Sequence, residues 1–122
     1  MKEIEDLANS VKTQLNLEYD ESSVNYIKDF IERNKMQIDK EQWTGLINSM
    51  GAFLGQCIIE NYGGNWEMEE DTQTICVAFD EKNKVYPFAK TSKQFENGLE
   101  DSIYSMYISI PLVFKIALKK RI

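Results

Sequence analysis

The chain has 122 residues, 43% of them hydrophobic, 28% charged and 11% aromatic, a balance that excludes a disordered tract and suits a single domain over 1–122. Twenty acidic residues against fourteen basic ones leave a net charge of −6, which repels phosphate backbones and argues against nucleic-acid binding. An acidic surface keeps a chain soluble and attracts basic partners. No apolar run reaches the length of a membrane span, because Lys115 interrupts the longest, near Ile110 to Leu118.

The first segment opens on charged residues with no apolar signal-peptide core, so cytoplasmic residence is the expectation. Ile4, Leu7, Ala8, Val11 and Leu15 recur at helical spacing and predict an amphipathic first helix. A second helix follows Asp20 or Ser22 as cap and ends near Asn34, with Val24, Ile27 and Ile31 on its apolar face. Asp39 and Gln42 approximate a capping box for a long third helix, which carries Trp43, Leu46, Ile47, Met50, Leu54, Cys57 and Ile58 on one side. That helix stops at Gly63-Gly64 and is expected to be the central one. Gly51, Ala52 and Gly55 share one side of it. Each glycine costs the helix about 1 kcal/mol relative to alanine, so tight packing against the sheet or the first helix is expected there.

Beyond the glycine pair the period changes to two. Trp66, Met68 and Glu70 alternate with Glu67 and Glu69, as on a strand with one wet face. Ile75 to Phe79 is apolar on both faces and predicts a central strand. A polar turn follows, with Asn83 suited to a left-handed conformation, and Val85 to Phe88 returns as an edge strand that Pro87 confines. A short helix from about Ala89 is closed by Gly98. Another, capped by Asp101 or Ser102, carries Ile103, Met106, Tyr107 and Ile110 and is ended by Pro111. The tail from Leu112 to Ile122 reads as a short, partly basic helix. The expected fold class is therefore α+β: N-terminal helices, one long central helix, a three-stranded antiparallel meander, then short C-terminal helices.

The chain has no histidine, which excludes Ser-His-Asp triads and histidine-containing zinc sites. Cys57 falls on an apolar helix stripe and Cys76 in an apolar strand, so both are expected as buried free thiols. A calcium loop over 80–90 fails, since Lys82 and Lys84 stand where oxygen ligands are required. Glu67, Glu69, Glu70 and Asp71 form the densest acidic cluster. Glu67 and Glu69 share a strand face, where two carboxylates serve glycoside hydrolysis or a hard cation; a solvated face is the commoner outcome. The apolar and basic tail suits an anionic membrane less well than it suits a helix C-terminus that favours cations.

The runs Gly51 to Trp66 and Tyr86 to Pro111, above all Pro87-Phe88-Ala89-Lys90 and Glu96-Asn97-Gly98-Leu99-Glu100-Asp101-Ser102, resemble small bacterial proteins of domain of unknown function 3806 and its relatives. The resemblance covers the last two thirds of the chain. It implies a long helix with small residues, a Gly-Trp corner and a short meander, and it transfers no reaction. By class, it also implies kinship with the pool of small bacterial domains that includes toxin-neutralising immunity proteins.

No catalytic residue, cofactor or metal ligand is assigned from the sequence. The expected function is a non-catalytic protein-binding module, immunity-like, meeting an unidentified and basic protein through Trp66, Glu67, Glu69, Glu70 and Asp71. Two alternatives stand beside it. One is a cation-binding or hydrolytic protein using the acidic cluster, or Glu100 and Asp101. The other is a self-associating domain that forms a homodimer through its C-terminal segment or the Pro87 strand.

Overall fold

A computed structural model of the chain describes residues 1–116. Its elements run α1 (Lys2–Leu15), α2 (Glu21–Asn34), α3 (Trp43–Tyr62), β1 (Asn65–Glu69), β2 (Thr74–Ala78), β3 (Lys84–Val85), α4 (Pro87–Asn97) and α5 (Ile103–Phe114). The fold is α+β in the expected order, with the long helix preceding an antiparallel meander of strand order β1-β2-β3.

Each N-terminal helix buries the stripe its spacing predicts. Ala8 and Val11 face inward from α1, which packs along α3, and Val24, Ile27 and Ile31 do so from α2. The Asp20 carboxylate accepts the Ser23 amide at 2.9 Å and supplies the cap of α2. The start of α3 differs from expectation. Residues 40–42 form a single 3-10 turn in which the Gln42 amide donates to the Asp39 backbone carbonyl at 2.8 Å. That tighter turn leaves the Asp39 side chain no amide to cap, so the capping box does not form and α3 begins at Trp43. Trp43 is anchored instead by its ring, which donates to the Lys35 carbonyl at 3.1 Å and packs on Phe95.

From Met50 to Ile58, α3 is buried on almost every side, between α1, α4, α5 and β2. The small residues explain how. A side chain at Gly51 would meet the ring of Phe88 on α4 at 2.6 Å, and one at Gly55 would overlap the Trp66 ring on β1. Trp66 and Phe88 lie side by side in this groove, ring centroids 5.7 Å apart. The close neighbours of the small residues are thus the sheet, as expected, and α4 rather than α1. Gly63 ends the helix with φ +93°.

Further expectations are corrected in the meander and beyond it. Pro87 is the first residue of α4 rather than part of β3, which is only Lys84–Val85; proline's fixed φ and missing N–H suit a first helical position. In the 80–84 turn Asn83 is not left-handed, because the Asp80 carboxylate gathers the Lys82 and Asn83 amides and the Asn83 side chain at 2.8–2.9 Å. The left-handed residue of the meander is Gln73, between β1 and β2. Pro111 does not end α5. The helix loses one hydrogen bond there and continues to Phe114, where Lys115 turns left-handed with its amide on the Pro111 carbonyl. Ser102, not Asp101, caps α5 by accepting the Ser105 amide at 3.1 Å. The expected tail helix is replaced up to residue 114 by α5, Lys115 and Ile116 are not helical, and positions 117–122 lie outside the described residues.

Gln94 is fully buried and joins three helices. Its amide donates to the Lys28 carbonyl at 3.0 Å and to Glu32 at 2.9 Å on α2, while its oxygen accepts the Ile103 amide of α5 at 2.9 Å. Lys35 in turn donates to the Gln94 backbone carbonyl at 3.2 Å. Gln94→Leu strands the Ile103 amide at the start of α5 and removes a hydrogen bond from Glu32, and is expected to cost about 2–3 kcal/mol in urea denaturation; a loss below the error of the melt would refute the clamp.

The two ends of α3 give opposite responses to one substitution. Gly45 has open space around it, so Gly45→Ala is expected to stabilise by about 0.5–1 kcal/mol through helix propensity. Gly55→Ala gains the same propensity but drives a methyl into the Trp66 ring, for a net loss of about 1–3 kcal/mol. Thermal melts of the two variants read both signs.

Candidate functional site: the acidic hairpin

The register of β1 on β2 pairs Trp66 with Val77, Glu67 with Cys76, Met68 with Ile75 and Glu69 with Thr74. Strand parity then decides what the five expected contact residues do. Trp66 shares its side with Val77 and Val85, the side that packs on α3. Its ring nitrogen donates to the Gln56 side chain at 3.2 Å. The tryptophan therefore roots the hairpin and does not stand beside the carboxylates as a shared contact surface.

Glu67 and Glu69 share the opposite side, as the alternation predicts, yet they differ. Glu69 is half-buried and engaged. It accepts the Tyr86 hydroxyl at 2.7 Å and the Thr72 hydroxyl at 3.3 Å, and Lys84 of β3 lies 3.8 Å away. The Tyr86 hydrogen bond, then that of Thr72 and the Lys84 charge, hold its carboxyl below the usual glutamate range. The same bond pushes the Tyr86 hydroxyl up. Glu67, Glu70 and Asp71 are exposed, and their side chains make no hydrogen bond or ion pair among the described residues. Met68, 44% exposed, lies on the Trp66 side of the strand. The structure thus divides the expected set into a root (Trp66), a strut (Glu69) and a free tip (Glu67, Glu70, Asp71).

Tyr86 and Lys84 escape a reading of the sequence because both reach Glu69 across the sheet. Only the pairing of Val77 with Val85 brings them there. The periodicity of β1 alone carries no trace of that register.

Asp101 and the two cysteines are committed to structure. Asp101 accepts Lys90 at 3.2 Å and the Asn97 amide at 2.7 Å; these two bonds, Asn97 first, hold its carboxyl low. Cys57 and Cys76 are free and buried, and burial pushes both thiols up, Cys57 furthest. Among the described residues no three Cys, Asp or Glu side chains converge on a point where a metal ion would sit. No helix among them is long and apolar enough to cross a membrane.

The strut predicts a pH signature. A carboxyl whose pKa is lowered by folding contributes stability above its unfolded value, near pH 4.3, and that contribution is lost as pH falls through the folded value. Tyr86→Phe is therefore expected to lower the urea midpoint at pH 7 and to differ less from the parent at pH 3. A gap of equal size at both pH values would contradict the strut.

Comparison with family models, with curated proteins and with solved structures finds no match for this chain, so the reading of this surface rests on its own residues.

Proposed function

We propose that the chain is a non-catalytic, protein-binding module of the bacterial cytoplasm, which takes a basic protein partner on the tip of the β1–β2 hairpin. One observation carries the reading: Glu67 on β1, a strand that pairs on one side only, and Glu70 and Asp71 in the turn after it are exposed and make no side-chain bond among the described residues. Carboxylates without internal partners lose no existing bond when a cation arrives, and they speed encounter with a basic surface. The Trp66 root and the Glu69 strut hold the tip to the body, which limits the ordering cost of association.

The likeness of the Gly51–Trp66 and Tyr86–Pro111 runs to domain of unknown function 3806 belongs to this proposal, as does the analogy with immunity proteins that sequester a toxin. A second reading, self-association, is favoured by one feature. On the outer side of α5, Leu112 is 84% exposed and Ile108 is also open to solvent.

The experiment is affinity capture from the native bacterial lysate at low and moderate salt, with the parent chain and a Glu67→Lys/Glu70→Lys/Asp71→Lys variant as baits. A stoichiometric basic protein, weakened by salt and lost with the variant, is expected. Glu69 is left untouched so that a folding defect does not mimic the loss. A partner retained equally by both baits would remove the hairpin from the interface.

A further inference from the structure

A groove of about 420 Å³ opens between β3, α4 and α5. Its apolar surface comes from Val85, Met106, Ile110, Val113 and Phe114, and Phe114 is braced from behind by a ring contact with Phe79. Lys84, Lys90 and Lys93 also line it, and no lining residue is acidic, although the chain carries twenty carboxylate side chains. In a protein of net charge −6 this is a local reversal of sign.

The three lysines are not equivalent. Lys84 faces Glu69 at 3.8 Å and Lys90 faces Asp101 at 3.2 Å, so each is held by a carboxylate that does not line the groove. Lys93, one turn of α4 beyond Lys90, makes no ion pair among the described residues. The two hydroxyls of the lining are already donating, Tyr86 to Glu69 and Ser109 to the Met106 carbonyl. What remains is an apolar trough with one cation outside any ion pair, Lys93, whose charge also acts on Asp101. The exposed Val113 leaves the trough open to solvent.

We propose that this groove binds a small amphiphile with an apolar body and a single anionic head, of the fatty-carboxylate class. The alkyl body lies along Met106, Ile110 and Val113, and the head pairs with Lys93, with Lys90 and Lys84 adding attraction at longer range. The volume falls within the range of small-ligand pockets, about 300–1,000 Å³. Burying the alkyl chain supplies affinity in proportion to area, and the lysine selects the sign of the head. This site is separate from the hairpin tip and stands or falls independently of it.

The test is calorimetric titration with sodium dodecanoate below its micelle concentration, with dodecyltrimethylammonium as the matched cationic probe. Saturable binding at a single site is expected for dodecanoate, with the cationic probe weaker by about tenfold or more. Lys93→Glu and Val113→Asp each lower dodecanoate affinity by about tenfold or more. Both positions are exposed, so circular dichroism melts should match the parent. Absence of saturable heat, equal affinity for the two head groups, or parental affinity in both variants would overturn the proposal. So would light scattering that shows a second copy of the chain covering the groove and displacing the probe.

Discussion

The arrangement depends on a channel of small residues along α3. Gly51 and Gly55 remove the side chains that would otherwise hold the neighbouring elements off, and Phe88 and Trp66 fill the space. Two aromatic rings thereby pin two elements, β1 and α4, against one helix and against each other. The helix gives up intrinsic propensity at both positions and gains close contact of its backbone with two large apolar surfaces. Moving either ring outward would shift the hairpin root and the α4 wall of the groove together, because both use the same channel.

Glu69 connects the two surfaces built on that frame. Its partners Lys84 and Tyr86 both line the groove, while its neighbours Glu67, Glu70 and Asp71 form the hairpin tip. One carboxylate therefore steadies a cation of the groove and ties the strand that presents the acidic tip. Glu67, Glu70 and Asp71 on the hairpin and Lys93 on α4 are exposed and outside any side-chain ion pair among the described residues.

Gln94 performs the corresponding service within the core. A buried amide with all its bonds satisfied fixes the relative register of α2, α4 and α5 more sharply than apolar contact does, since a small shift leaves a donor or acceptor stranded. The second wall of the groove, α5, is held by this clamp at its first residue and by the Tyr62–Tyr107 ring contact further along.

Much of this was legible in the residues alone. The stripes of α1, α2 and α3, the stop at Gly63, the Asp20 cap, the central strand and the burial of both cysteines follow from local periodicity and backbone preference, which act within a few residues. The errors have one kind of cause. Asp39 caps nothing because residues 40–42 close a 3-10 turn on its backbone carbonyl, Asn83 is not left-handed because Asp80 captured the turn, and α5 ran through Pro111 because packing outweighed one missing hydrogen bond. Of the candidate site, the acidic cluster and the shared face of Glu67 and Glu69 could be read from alternation. That Trp66 turns inward onto Gly55, that Glu69 is tied to Tyr86, and that three lysines meet an apolar trough could not be read. These depend on register and on helices brought together from distant parts of the chain. The sequence by itself determined the order and type of the elements and the buried stripes of the first two helices, because these follow from local periodicity; the tertiary structure decided where elements end and which charges are spent internally, because packing and pairing across elements are not set by spacing along the chain.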